Sequence, residues 1–574
     1  MEKKKLLSGI AIFFTGLLVL VGIVVYITLV RPLQAAYGQV NTLKTKAKVV
    51  FEAAKTQNLV KLQSGLVDLQ KELKIAQVSL KSVFAYKTLP GIGYVFRDME
   101  NGLLAGNYLL EAGKKAVTAI EPYSDLIGFK KGSQFSQQQT EKRLETAILT
   151  IDKLIPQIDA IGGDLEKAQA YLEKIEPQAY PVSIGGMQIQ EKVKNYHDQI
   201  LGLVGLATEA RPLFRRLPYL LGKDVERRYL VLFLNDAELR ATGGFITAYA
   251  VFSVEKGQIR VVQSSDIYDL DNQINHPKAP LEIVKYHKKV YEYYVRDSNL
   301  YPDYPTSLKE FEQLLTRGNK QLQYDGIISM DTQVLVNTLK ILGPTYAGGV
   351  SFTADPDTRC GGCPQVIYEL ENIITRPTPY LREQRKSMLS VLLFTIMQKS
   401  LGVSPSQYWG RLVQQFLADL EEKHILVNLK DVKSQKAIES LGYGGVIIPT
   451  KSDYLHINNV NFAGAKSNMF MKQTVLSTTK PEGDNYLREV VVEYRNPFPA
   501  SDCNEERGTL CLNAPLRNWV RFYVPKGAKL VKFIGSEMET RSYEESGKQV
   551  FEGFLIVKPL GKASVKVTYT VPKA

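Results

Sequence analysis

The chain has 574 residues, more than one hydrophobic core organises, so several domains are expected. Its net charge of +13 implies attraction to acidic partners. Outside a bacterium these would be anionic lipids or wall polymers rather than nucleic acid, but the lysines are scattered along helical patterns rather than clustered with aromatics, which reads first as a solvated basic surface.

Leu6 to Val30 contain no charged side chain. At 1.5 Å per residue such a run spans a bilayer core of about 30 Å. Lys3, Lys4 and Lys5 precede it, predicting a transmembrane helix over 6–30 with a cytoplasmic N-terminus. The competing reading is a cleaved signal peptide, with Ala35-Ala36 as the small-residue site. The expected localisation is a bacterial cell membrane, single-pass, with the bulk extracytoplasmic and the lipid bilayer as a partner.

Residues 33–222 read as a helical-bundle stalk. Leu59, Leu62, Leu66, Leu69, Leu73, Ala76 and Leu80 follow a three-four spacing that shares one helix face, open to pairing within or between chains. Leu89-Pro-Gly interrupts the pattern, and Pro156 falls inside a later helix.

From 225 to 480 strands and helices alternate, predicting an α/β domain. Tyr229–Leu234 reads as a buried strand, Phe245–Ser253 as an alternating one, and Glu255-Lys-Gly257 as a hairpin turn. Gly326–Met330 is a further strand. Asp331 is the expected N-cap of a helix over 332–342, which Gly343-Pro344 ends. Helices near 381–401 and 406–423 follow. Residues 484–574 show only strand patterns, predicting an immunoglobulin-like β-sandwich.

Cys360/Cys363 and Cys503/Cys511 form two close pairs, read as disulfides of an oxidising compartment. A four-thiolate zinc site and a redox Cys-Gly-Gly-Cys motif are the alternatives.

Three segments could carry chemistry. Asn235-Asp-Ala-Glu-Leu-Arg-Ala-Thr-Gly-Gly244 directly follows a strand, where α/β sheets bind ligands. Asp236 could hold a divalent cation and Arg240 a phosphate; the plainer reading is a polar turn capping its own backbone. Ser264–Asp271 carries three carboxylates, including Asp266, and otherwise reads as a solvated acidic loop. Arg382 and Arg385, one helical turn apart, could grip a pyrophosphate or be surface charge. No Gly-x-Ser-x-Gly elbow is present, and the histidines show no metal-ligand spacing.

Asn235–Gly244, Asp325-Gly-Ile-Ile-Ser-Met-Asp331 and His456-Ile-Asn-Asn-Val-Asn-Phe-Ala-Gly-Ala-Lys466 together resemble the bacterial membrane-anchored family termed domain of unknown function 4012. The order of elements is more distantly similar to the LytR-CpsA-Psr phosphotransferases. That resemblance implies transfer of glycopolymers from polyprenyl-pyrophosphate carriers to the cell wall, with Mg2+ at the pyrophosphate. It implies Asp236 and Asp266 as metal-orienting and Arg240, Arg382 and Arg385 as phosphate-binding. The family's carboxylate after the first loop is missing, since Arg240 is followed by Ala-Thr-Gly; Ser265 stands where the family has an arginine. Loss of both would weaken charge neutralisation. The expectation is a cell-envelope protein, possessing or having lost transferase activity, with a non-catalytic surface binding or adhesion protein as the alternative.

Overall fold

The computed structural model describes residues 24, 26–56, 58–123, 140–318, 321–375, 382–402, 408, 410–450, 453–504 and 509–573. The chain forms two compact units, 1–138 with 146–218 and 139–145 with 219–574.

The first unit is helical: α1 Arg31–Lys55, α2 Leu59–Leu80, α3 Gly93–Ile120, α4 Thr140–Leu172 and α5 Ile189–Leu220. The Asn58 side chain caps α2 by accepting from the Lys61 amide at 3.0 Å. The predicted leucine face is buried within this chain: Leu62, Leu66 and Leu73 cluster with Leu110 and Val117 of α3. Lys115 of α3 pairs with Asp164 of α4 at 2.6 Å.

The expected transmembrane helix requires correction. Residues 1–23 and 25 lie outside the described residues. Tyr26–Val30 form a π-helical turn leading into α1, whose Arg31, Lys44, Lys46, Lys48, Glu52 and Lys55 make it too charged to cross a bilayer. Among the described residues no helix is long and apolar enough to cross a membrane.

The second unit contains a five-stranded mixed sheet made of β1 Arg227–Asn235, β2 Phe245–Glu255, β3 Gln258–Asp266, β4 Gly326–Asp331 and β5 Ile425–Leu429. Its order is β5-β4-β1-β2-β3, and only β1 and β4 run parallel. Leu230, Leu232 and Leu234 point to one face, against Leu308, Phe311 and Leu314 of α6 Tyr304–Leu315. Val231 and Phe233 point to the other, with Ile328, Met330 and Leu393. Both faces being covered explains why β1 reads as an unbroken apolar run. The second face is roofed by α7 Thr332–Leu342, α8 Gln365–Thr375 and α9 Arg382–Gly402; α10 Gly410–Glu421 and α11 Val432–Ser440 flank β5. At the β2–β3 turn Lys256 and Gly257 both have positive φ, +48° and +78°, as a tight two-residue hairpin needs.

The sandwich has eight strands: β6 His456–Asn461, β7 Lys472–Glu482, β8 Asn485–Arg495, β9 Leu516–Val524, β10 Lys529–Ile534, β11 Arg541–Glu545, β12 Lys548–Val557 and β13 Lys562–Pro572. They pair antiparallel as β6-β9-β12-β11 and β7-β8-β13-β10. This corrects the expected fold class in two respects. The α/β part is a mixed, mainly antiparallel sheet, and the sandwich already takes in the chain from residue 456. The β9 side chains explain the fusion. Val520 and Phe522 fill the sandwich interior, whereas Trp519 joins Val460, Phe462 and Phe554 in the core under the mixed sheet. One sheet is therefore buried on both faces and shared by the two layers.

Cys360–Cys363 and Cys503–Cys511 are disulfides, with Cα separations of 5.6 and 4.3 Å, so all four thiols are paired.

Candidate ligand site at the strand ends

The segment Asn235–Gly244 leaves β1 at its carboxyl end and folds back into β2. Its polar side chains turn inward. Asn235 Oδ1 accepts from the Ala237 amide at 3.1 Å, while its Nδ2 donates to Glu371 Oε1 at 2.6 Å. Glu238 is buried between Lys466 at 2.8 Å and Arg240 at 3.1 Å. Burial pushes its carboxyl up, but these two cations outweigh it and hold the group low. Arg240, 2 % exposed, also reaches Asp297 at 3.3 Å and donates to the carbonyls of Leu239 and Asn461. Its guanidinium joins two carboxylates and β6. A Cβ on Gly244 would lie 2.5 Å from the Asn235 carbonyl, so that turn closes only around glycine.

The third resembling segment is the counterpart of the first. The Asn461 amide donates to Leu239 O at 2.9 Å, Asn458 Nδ2 to Ala241 O at 3.0 Å, and Lys466 to Glu238. The two motifs are the halves of a clasp between the mixed sheet and the sandwich.

Asp236 faces another way. Its Oδ1 accepts from the Thr332 hydroxyl, and burial raises its carboxyl pKa. Asp331, across the parallel β1–β4 pair, caps α7 by accepting from the Gln333 amide at 3.0 Å. Its Oδ2 meets His424 Nδ1 at 2.7 Å. Burial pushes Asp331 up to about 6, with the nearby Asp236 adding to the rise. The hydrogen bond to Asp331 raises His424 in turn. Two buried carboxyls and an imidazole thus influence one another's charge at the carboxyl ends of β1 and β4. The sequence reading had Asp331 as a cap but missed His424, which the antiparallel pairing of β4 with β5 brings in from 93 residues away.

Beside this cluster a cavity of about 150 Å³ opens between the sheet and α7, α8 and α9. Phe233, Met330, Leu335, Ile367, Leu393 and Ile396 make its walls. An apolar cavity of that size admits a benzene-sized molecule. Polar groups reach it from Asn235, Asp266, Asp331, Thr332 and Glu371, and among the described residues no lysine or arginine lines it.

Asp266, at the end of β3, lines the cavity and caps a short helix by accepting from the Tyr268 amide at 2.9 Å. Asp236 and Asp331 meet through the cluster, while Arg240 belongs to the clasp and not to the cavity. Arg382 and Arg385 open α9; their side chains lie outside the described residues. Among the described residues no group of three or more His, Cys, Asp or Glu is placed to hold a metal ion. A cation at Asp236 or Asp266 would need further ligands from a phosphate.

The architecture is that of a mixed α/β layer fused to a β-sandwich, with an apolar cavity at the strand ends. Residues 224–357 match the family model described as protein of unknown function (DUF4012), which supports the family expected from the motifs. The first two resembling segments fall inside the matched stretch, and the third lies beyond it. No curated protein matches the chain.

Proposed function

We propose that this is an extracytoplasmic protein of the bacterial cell envelope that binds a lipid-linked glycopolymer by the isoprenoid chain, the cavity taking about one isoprene unit at its phosphate end. The observation that carries this reading is the apolar cavity at the carboxyl ends of β1 and β4. The distant similarity of element order to the LytR-CpsA-Psr enzymes supplies the ligand class. Two disulfides support an oxidising compartment. The net charge of +13 suits anionic wall polymers.

Binding is favoured over transfer by one specific observation. Arg240, the expected phosphate ligand, already serves Glu238 and Asp297. Phosphoryl transfer depends on cations free to meet developing charge.

Titrating the full chain with farnesyl diphosphate tests the proposal. Saturable binding is expected, and Ala248→Phe or Leu393→Trp, which fill the cavity, should lower affinity at least about tenfold with an unchanged circular-dichroism spectrum. Absence of binding, or binding indifferent to both substitutions, would overturn it.

A further inference from the structure

The cavity wall carries a carboxyl group that no cation bonds among the described residues. Glu371 of α8 is buried and lines the cavity. Its Oε1 accepts from Asn235 Nδ2, and its Oε2 makes no hydrogen bond among the described residues. Behind it a row of charges runs inward: Lys466 to Glu238 at 2.8 Å, Glu238 to Arg240 at 3.1 Å, Arg240 to Asp297 at 3.3 Å, Asp297 to Arg296 at 3.9 Å and Arg296 to Asp271 at 2.6 Å. Four carboxyls, Glu371, Glu238, Asp297 and Asp271, thus stand against three cations, Lys466, Arg240 and Arg296.

The surplus falls at the cavity end. Asp271 has Arg296 and the Val295 amide, both at 2.6 Å, with His276 at 3.6 Å. Lys466 bonds directly to Glu238, leaving Glu371 only its longer-range attraction. Among the described residues the other ionisable groups on the cavity wall are Asp266, Asp331 and Tyr268, none of which supplies positive charge. Burial raises the Glu371 carboxyl, and Glu238 adds to that rise against the opposing pull of Lys466 and Asn235.

We propose that Glu371 is a neutral carboxylic acid that donates the hydrogen bond by which this cavity recognises an oxygen on its otherwise apolar ligand. The inference rests on the proposed function and deepens it. The ligand class is an isoprenoid alcohol or ester; in a lipid-linked polymer the atom is the ester oxygen joining the prenyl chain to its first phosphate. An ionised Glu371 would repel that group. A neutral carboxyl in an apolar wall both tolerates and orients it.

Displacement of a fluorescent apolar probe from the full chain by farnesol and by the hydrocarbon farnesene provides the test. The wild type should prefer farnesol. Glu371→Gln, which keeps an N–H donor, should retain the preference, and Glu371→Leu should lose about tenfold in farnesol affinity with farnesene unchanged. Affinity for farnesyl methyl ether, whose oxygen only accepts, should fall as pH rises and the acid ionises, and fall more steeply than in the Gln variant, where only Asp331 and its neighbours still titrate. Equal binding of farnesol and farnesene, a preference retained by the Leu variant, or a pH dependence as steep in the Gln variant as in the wild type overturns the role of Glu371. Failure of both probes to bind overturns the cavity reading itself, and this inference with it.

Discussion

Replacing Arg240 by methionine separates a structural from a ligand-gripping guanidinium. Methionine keeps much of the apolar packing against Phe245 and Phe462, whose ring centroids lie 5.0 and 5.6 Å from the guanidinium. It removes the charge from a side chain only 1 % exposed. Glu238 keeps Lys466 at 2.8 Å, so its loss is partial. Asp297, 3 % exposed, keeps Arg296 at 3.9 Å as its one ion-pair partner among the described residues. The carbonyls of Leu239 and Asn461 each lose a donor. Breaking a buried pair by deleting one partner costs about 3–5 kcal/mol, and the persistence of Lys466 places Arg240→Met toward the lower end. Urea unfolding followed by near-ultraviolet circular dichroism would read this as a lower midpoint at similar slope. Adding Asp297→Asn should recover part of the loss, because the stranded carboxylate is then gone. A variant within about 1 kcal/mol of wild type that no longer binds farnesyl diphosphate would refute the reasoning and return Arg240 to the phosphate.

Other expectations follow from the same geometry. The folded pKa values of Asp331, about 6 against an ordinary 3.8, and of His424, raised above 6.5, both exceed their unfolded values. The stabilisation from each bound proton is full below the unfolded value and lost as pH rises through the folded one. Stability should therefore decline as pH rises from about 4 through 6, where Asp331 loses its proton, and further above 6.5 as His424 does, and Asp331→Asn should flatten the first part of that decline in a series of urea midpoints. Cys503→Ser with Cys511→Ser opens a disulfide of sequence separation 8, which on loop entropy costs about 2.5 kcal/mol, measurable as a lower thermal midpoint. Gly244→Ala forces a methyl group against the Asn235 carbonyl and should cost about 1–3 kcal/mol by chemical denaturation; an unchanged midpoint would contradict the tight turn.

The elements with strong local chemistry were legible in the sequence. The leucine spacing at 59–80, the two-residue turn at Lys256-Gly257 and the Asp331 cap each follow from nearest neighbours along the chain. The strand β6 was not, because His456-Ile-Asn-Asn-Val-Asn461 lacks the alternation of a half-buried strand. Its asparagines are held in the interior by Ala241, Ala465 and Asn468, partners distant or invisible in any short window. The acidic and basic residues of 235–244 looked like ligands because burying so many charges is costly unless each finds a partner. Most found one inside the protein. Asp236 and Asp266 do stand near the cavity, but the residues that give the site its proton chemistry, His424 and Glu371, became visible only with the pairing of β4 and β5 and the packing of α8.

The shared sheet has a consequence for how this protein can be taken apart or recombined. Trp519 and Phe554 belong to the same core as Leu230 and Phe311, and the clasp crosses the same boundary. A fragment that ends at 357, where the matched segment closes, exposes half of a hydrophobic interior and takes Lys466 from Glu238. The sandwich is thus no interchangeable appendage. It shares one core with the mixed sheet, and a chimaera must carry both or replace both.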